Sequence, residues 1–330
     1  MKIKLILLSL IFLLTMMIVG KTQTPYNSQG FMSSQYFNPG AVGFGINNRF
    51  QSFFRTQFIG VGQPFYSAGA GLDFGFLKID RSLYNSLGYG IQCVSDRVLN
   101  GVLQTNTFTN SLAYRVFFNE KQTSYFSLGV GFSIITRTID ASQLTFADQY
   151  YSGRLFNPSS LEAIKQYPTK YSTNTGFIYG YQSDLCYLQL GASIYNINRT
   201  TNVIIQNEPN QTYQYSSLLN FEYQLENQNS ILLHADYQNR LEKEFVYVGA
   251  AIGLPMQKEE NKLYVGCFYR VKDAIVPYLG LIHNKYKIGV SYDIYNNNFT
   301  SSNLRPQTIE FSLTTSLSRR YSDHLRSLFD

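Results

Sequence analysis

The stretch Arg49-Phe50-Gln51-Ser52-Phe53-Phe54-Arg55-Thr56-Gln57-Phe58 decides the fold. Its side chains alternate: Arg49, Gln51, Arg55 and Gln57 fall on one side, and Phe50, Ser52, Phe54, Thr56 and Phe58 on the other. A β-strand turns successive residues to opposite faces, so arginine and glutamine stand opposite a mostly aromatic stripe. In a water-soluble sheet the apolar face meets a core and the polar face meets solvent. In a membrane barrel the apolar face meets lipid and the polar face lines the lumen. One strand is compatible with both, and the rest of the chain separates them.

Upstream, Ser34-Gln35-Tyr36-Phe37-Asn38-Pro39-Gly40-Ala41-Val42-Gly43 is a loop rich in turn formers. Downstream the alternation repeats. Tyr66, Ala68, Ala70, Leu72, Phe74 and Phe76 oppose Ser67, Gly69, Gly71, Asp73 and Gly75; Phe126, Leu128, Val130, Phe132 and Ile134 oppose Ser127, Gly129, Gly131 and Ser133. The same pattern sets Ile231, Leu233, Ala235 and Tyr237 against His234, Asp236 and Gln238. It also sets Ile288, Val290, Tyr292 and Ile294 against Lys287, Gly289, Ser291 and Asp293, and Ile309, Phe311 and Leu313 against Thr308, Glu310 and Ser312. No equally long stretch has a helical period, so the chain is all-β. About 14 strands are expected, starting near positions 48, 65, 86, 102, 124, 174, 184, 213, 230, 245, 262, 274, 286 and 307. The segment from Val102 to Phe118 alternates poorly, and Ala274 to His283 is partly apolar on both faces.

Composition points to a membrane barrel. The chain of 330 residues has 27 Tyr, 25 Phe, no Trp and 15% charged residues. Aromatic richness without long apolar runs is what alternating barrel strands produce. Residues 1–20 read as a secretory signal peptide: Lys2 and Lys4, an apolar run from Leu5 to Val19, then Gly20. No other run approaches the roughly 20 apolar residues of a membrane helix. The expected organisation is a signal peptide over 1–20, an N-terminal periplasmic segment over 21–47, a barrel over 48–318 and a C-terminal tail over 319–330. The formal charge of +6 falls to about +4 without Lys2 and Lys4, with no basic cluster, and this argues against a nucleic-acid partner.

Connection lengths support the same architecture. With the first connection placed outside, the long segments Asp140 to Thr173, Asn196 to Thr212 and Asn296 to Pro306 are all extracellular. Short turns such as 119–122, 182–183 and 226–229 are periplasmic, the asymmetry expected of outer-membrane barrels. Within the longest segment, Asp148, Arg154, Asn157 and Pro158 are candidates for contacting a partner.

No catalytic constellation emerges. His234, His283 and His324 are far apart; His234 and Asp236 share the lumen face, where they form an orienting pair for a lipase or fill the barrel interior. Ligands for a metal are not clustered, and no cofactor is expected. Cys93, Cys186 and Cys267 fall on the apolar side of their strands, as small apolar residues. The glycines of the second and fifth strands have two readings: room for a ligand or an inserted peptide, or a strand free to coil with an aromatic packed over it. The lumen carries both charge signs, which suits a water-filled channel or a plug bound through ion pairs.

Ser34-Gln35-Tyr36, Asn38-Pro39-Gly40-Ala41-Val42-Gly43, Phe54-Arg55-Thr56-Gln57 and Pro64 resemble the start of the PorP/SprF family, outer-membrane proteins of type IX secretion and gliding systems. Gly266-Cys267-Phe268-Tyr269-Arg270, Ile288-Gly289-Val290-Ser291-Tyr292-Asp293 and Glu310-Phe311-Ser312-Leu313 are similar to its closing strands. Phe54 and Phe58 stand where the family tends to have Tyr and Trp. Arg55, Gln57, Asp73, Arg270, Ser291, Asp293 and Glu310 are the lumen and motif candidates, and the alternation by itself puts them on the lumen face. The resemblance implies a non-enzymatic bacterial outer-membrane component, in contact with membrane lipid. Its implied partners are other secretion-system subunits, or a secreted surface protein such as an adhesin, exported or held by its C-terminal domain. The rivals are a porin-like or fatty-acid-type passive transporter and an outer-membrane enzyme.

Overall fold

The computed structural model describes residues 27–43, 48–78, 85–140, 142, 144–146, 149–150, 167–198, 213–240, 243–256, 261–296, 306–317 and 327–329. The signal-peptide expectation over 1–20 and the loop candidates Asp148, Arg154, Asn157 and Pro158 lie outside these residues.

The alternating segments form β1 (Arg49–Ile59), β2 (Phe65–Lys78), β3 (Asn85–Val98), β4 (Leu103–Phe117), β5 (Ser124–Ile139), β6 (Lys170–Gln182) and β7 (Cys186–Tyr195). They continue as β8 (Gln214–Gln224), β9 (Ser230–Arg240), β10 (Lys243–Pro255), β11 (Lys262–Arg270), β12 (Ala274–His283), β13 (Tyr286–Tyr295) and β14 (Gln307–Ser316). Each strand pairs antiparallel with its neighbours in sequence, and β1 pairs with β14 to close a 14-stranded barrel. Closure leaves no sheet edge, so every strand finds hydrogen-bonding partners without water, as a bilayer demands. Among the described residues no helix is long and apolar enough to cross a membrane. We call the end at which β1 begins and β14 ends the terminal end, and the opposite end the loop end.

The outer wall is the apolar face. Leu128, Val130, Ile252, Leu279 and Phe311 are all exposed on it, while Arg55, Asp73, Asp293 and Glu310 face inward and are buried. Cys93 and Cys267 are exposed and Cys186 half-buried, and none forms a disulfide. Two segments whose alternation is weak are explained by their surroundings. β4 pairs with β3 and β5 along its whole length, but its loop-end half is largely half-buried on both faces. β12 is apolar on both faces because Ala274, Val276, Tyr278 and Ile282 belong to a hydrophobic cluster inside the lumen.

The structure corrects three expectations. β6 starts at Lys170, not near Asn174, because Lys170 to Ser172 pair with Ile135 to Ser133 of the long strand β5; the longest connection is therefore 140–169. Phe58 leaves the lipid-facing stripe. It adopts φ 60°, where the register with β14 shifts, and stacks on Tyr295 at 5.8 Å. The largest correction concerns the periplasmic segment expected over 21–47. Its described part, Asn27 to Gly43, lies inside the barrel, buried except for the half-buried Tyr36, as three short helical turns, Gly30–Ser33, Ser34–Phe37 and Pro39–Ala41.

Candidate functional site

A peptide that crosses a lumen without joining a sheet must have its backbone polar groups satisfied by side chains. The wall supplies them. Thr314 donates to the carbonyl of Met32 at 3.0 Å, and Tyr195 to that of Tyr36 at 3.0 Å. Ser193 and Ser216 both donate to Phe37, at 2.7 and 3.0 Å, and Ser127 donates to Gly40 at 2.8 Å. Arg49 Nη2 donates to Ala41 at 3.0 Å and Arg115 Nη1 to Gly43 at 2.9 Å. Hydroxyls and guanidinium groups from strands all round the barrel thus hold one irregular segment, which we call the plug.

Asn38 gives the plug its local shape and one of its docking points. Its Oδ1 accepts from the Gly40 backbone at 2.8 Å, capping the Pro39–Ala41 turn. Its Nδ2 donates to the carbonyls of Phe177 and Ala192, at 2.9 and 3.1 Å, so one side chain bridges plug, β6 and β7. This approach is possible because the wall is bare there. A Cβ on Gly176 would meet Asn38, one on Gly129 the Pro39–Gly40 peptide, and one on Gly88 the Val42–Gly43 backbone. Of the two readings of the second- and fifth-strand glycines, Gly129 fits the inserted peptide and Gly69, under the Phe53 ring, fits the other; outside those strands Gly88 and Gly176 also admit the plug, and Gly180 lies under Tyr125.

The charged anchor lies in the loop-end half, around Ser28. Arg55 Nη1 donates to Glu310 Oε2 at 2.6 Å and to Ser28 Oγ at 2.7 Å, and its Nη2 donates to Asp293 Oδ2 at 2.7 Å. Arg270 Nη2 donates to the same Asp293 oxygen at 3.0 Å, its Nη1 reaches Ser28 Oγ at 3.2 Å, and its Nε pairs with Asp273. Glu310 accepts from two successive plug amides, Ser28 at 2.7 Å and Gln29 at 2.9 Å. Ser28 Oγ donates to Asp293 at 2.9 Å. The Gln29 amide donates to Ser291 Oγ at 3.0 Å and accepts from Ser312 at 2.5 Å. With its amide oxygen turned toward Arg55, Gln57 accepts from Nε at 3.2 Å and Nη2 at 3.0 Å.

Arg55, Arg270, Asp293 and Glu310 are all at most 2% exposed. Charges so deep are tolerated only when paired and fully hydrogen-bonded. Among these four groups two cations and two carboxylates balance, with the more exposed Asp273 as a further acid on Arg270, and the plug amides occupy lone pairs that the arginines leave. The mixed lumenal charge is therefore the seat of a plug, the second of the two possibilities open from sequence.

Six of the seven lumen candidates meet here: Arg55, Gln57, Arg270, Ser291, Asp293 and Glu310. Asp73 does not. It forms a separate pair with Arg49, Nη2 to Oδ2 at 2.7 Å, toward the terminal end. The partners that sequence reasoning missed are Ser28, Gln29 and Asp273. Ser28 and Gln29 sit in no periodic pattern, so nothing local marks them; Asp273 was detectable only as an acid three residues after Arg270.

His234 does not assemble a hydrolase site. Its Nδ1 meets Asn220 Oδ1 at 2.6 Å and its Nε2 meets Asp236 Oδ2 at 3.0 Å, so both ring nitrogens are engaged by wall side chains other than serine. The ring packs edge-on against Phe31 of the plug at 5.0 Å and against Tyr247 at 5.8 Å. It fills the interior.

Known proteins confirm the architecture and supply the family. The aromatic hydrocarbon channel CymD superposes with a TM-score of 0.51 at 9% identity, over 90% of this chain and 95% of that one. A mutant of the TodX monoaromatic hydrocarbon channel gives 0.51 at 8% identity, over 86% and 94%. A FadL homologue of Pseudomonas aeruginosa gives 0.49 at 9% identity, over 91% and 100%. For CymD and TodX, at such identities, the likeness is one of fold. No curated protein matches the chain. The type IX secretion system membrane protein family PorP/SprF matches residues 19–314. A closed barrel with an apolar outer wall, matched to this family over nearly its whole length, is a protein of the bacterial outer membrane, and the chain belongs to the PorP/SprF family of type IX secretion system membrane proteins.

Proposed function

We propose that the chain is a non-enzymatic barrel subunit of the type IX secretion or gliding apparatus. It supports export or surface anchoring of a secreted partner, such as an adhesin, through the partner's C-terminal domain. The observation that carries this reading is the plugged lumen: residues 27–43 cross it, seated on Arg55, Asp293 and Glu310. A filled barrel is poorly suited to passive solute traffic and well suited to serve as a rigid scaffold. Recognition then falls to its loops and its ends. The long connections 140–169, 196–213 and 296–306 all open at the loop end. We place that end outside the cell, with Asp148, Arg154, Asn157 and Pro158 as partner contacts. Other secretion-system subunits meet the terminal end in the periplasm.

Deleting residues within 140–169 should abolish display or retention of one surface protein while the barrel keeps its heat-modifiable migration. An epitope tag after Asn157 should be labelled on intact cells. If the deletion retains every co-purifying protein, and the wild-type barrel admits small solutes in liposome swelling, the passive-transporter reading replaces this one.

A further inference from the structure

Three residues from the far C-terminus re-enter the barrel at the terminal end. Ser327, Leu328 and Phe329 are at most 2% exposed, although they belong to no strand and are separated from β14 by more than their own length of chain. Their anchor is Glu222, near the terminal end of β8 and fully buried. The two oxygens of this carboxylate are divided between wall and tail. Oε1 accepts from Ser230 Oγ and from the Tyr264 hydroxyl, each at 2.7 Å. Oε2 accepts from Ser327 Oγ at 2.6 Å and from the Leu328 amide at 3.3 Å. Lys287 Nζ donates to the Ser327 carbonyl at 2.7 Å. The Phe329 ring stacks on Tyr187, centroids 5.9 Å apart, and meets the plug's Phe31 edge-on at 5.8 Å.

The wall therefore reads the tail in three ways: an acid for a hydroxyl and an amide, a cation for a carbonyl, and an aromatic slot for a ring. A buried carboxylate oxygen without donors is unfavourable, and in this structure the tail's hydroxyl and amide supply those of Oε2, beside the Lys262 ammonium 3.9 Å from Oε1. None of the contacts is sheet pairing. The tail behaves as a ligand that is covalently attached, and attachment through a short tether raises its local concentration to the order of millimolar. Even modest intrinsic affinity then keeps the site filled.

We propose that the terminal end of the lumen is a peptide-binding site for a hydroxyl–apolar–aromatic sequence. Ser327 to Phe329 occupy it in cis, and their occupancy latches the plug through the Phe329–Phe31 contact. A free peptide of the same chemistry, arriving from the terminal end, competes only with the tail. The loop-end partner of the preceding section plays no part in this site.

The test uses the purified full-length barrel, the same barrel ending at Arg326, and a fluorescent peptide of residues 324–330 read by anisotropy. The shortened barrel should bind the peptide saturably, and the full-length barrel at least about tenfold more weakly because its site is occupied. A peptide carrying Phe329→Ala should lose about tenfold or more on the shortened barrel, the scale of an aromatic anchor. A scrambled peptide should not saturate, and Glu222→Gln in the shortened barrel should weaken the native peptide. Protease cleavage within 27–43 should rise when the tail is removed and fall again when the peptide is added. Heat-modifiable migration verifies that each barrel is folded. Equal binding by both barrels, equal binding of native and scrambled peptides, or no binding by a folded shortened barrel overturns the site; unchanged cleavage overturns the latch.

Discussion

Arg55 shows what a single residue does in this barrel. Its guanidinium touches β13 through Asp293, β14 through Glu310 and the plug through Ser28, with no exposure to solvent. Removing it leaves two buried carboxylates with too few donors. Arg55→Leu should cost about 3–5 kcal/mol, the scale for breaking a buried ion pair. The readout is a lower midpoint in heat-modifiable migration. Adding Glu310→Gln, which removes the orphaned charge but keeps an acceptor for the plug amides, should recover part of that loss. A loss below about 1 kcal/mol, as for an exposed pair, would show that water reaches the network. Sequence alternation puts Arg55 on the lumen face correctly. It does not say which of the lumenal acids is its partner, because register round the barrel relates residues that are distant in sequence.

At the scale of the element, each strand presents lipid on one face and a packed interior on the other. Leu128 is exposed on the outer wall, whereas the neighbouring Ser127 donates to the plug carbonyl of Gly40. Leu128→Arg should cost about 2–4 kcal/mol if it lies near the bilayer midplane, read as reduced membrane assembly. From alternation alone, Ser127→Arg would be expected to be much milder. The filled lumen changes that expectation: the added side chain overpacks the interior, at about 1–3 kcal/mol. The two substitutions should fail differently. Ser127→Arg should still insert but expose residues 27–43 to protease, and identical behaviour of the two variants would contradict the division of faces. Strand positions were legible because alternation is local. The turn of Phe58 toward Tyr295 was not, since it follows from a register shift against β14.

For the whole molecule, the barrel wall and the plug are separable. A barrel of 14 strands closes on itself without residues 27–43, but Ser327 to Phe329 would still occupy its terminal end, so both segments must leave for the glycine-lined interior to stand open. Replacing 27–43 by a short Gly/Ser linker in a barrel that ends at Arg326 should convert a non-conducting protein into an open pore in planar bilayers. Steady conductance by the wild type, or none by the folded variant lacking plug and tail, would refute the view that these two segments close the lumen. The likeness to hydrocarbon channels is one of fold.

The sequence by itself determined the membrane-barrel class, the strand number, nearly all strand starts and the inward set of polar residues. Lipid on one side and lumen on the other impose a two-residue period, and a period is written in neighbouring residues. Only the tertiary structure decided that 27–43 is a plug and that 327–329 return to the barrel. Ser28 and Glu310 lie 282 positions apart, and Ser327 and Glu222 lie 105 apart. A peptide held by side chains instead of a ladder needs no regular pattern, so its composition is that of any turn-rich segment outside the barrel. Its place inside depends on matching a surface that exists only once the wall has closed.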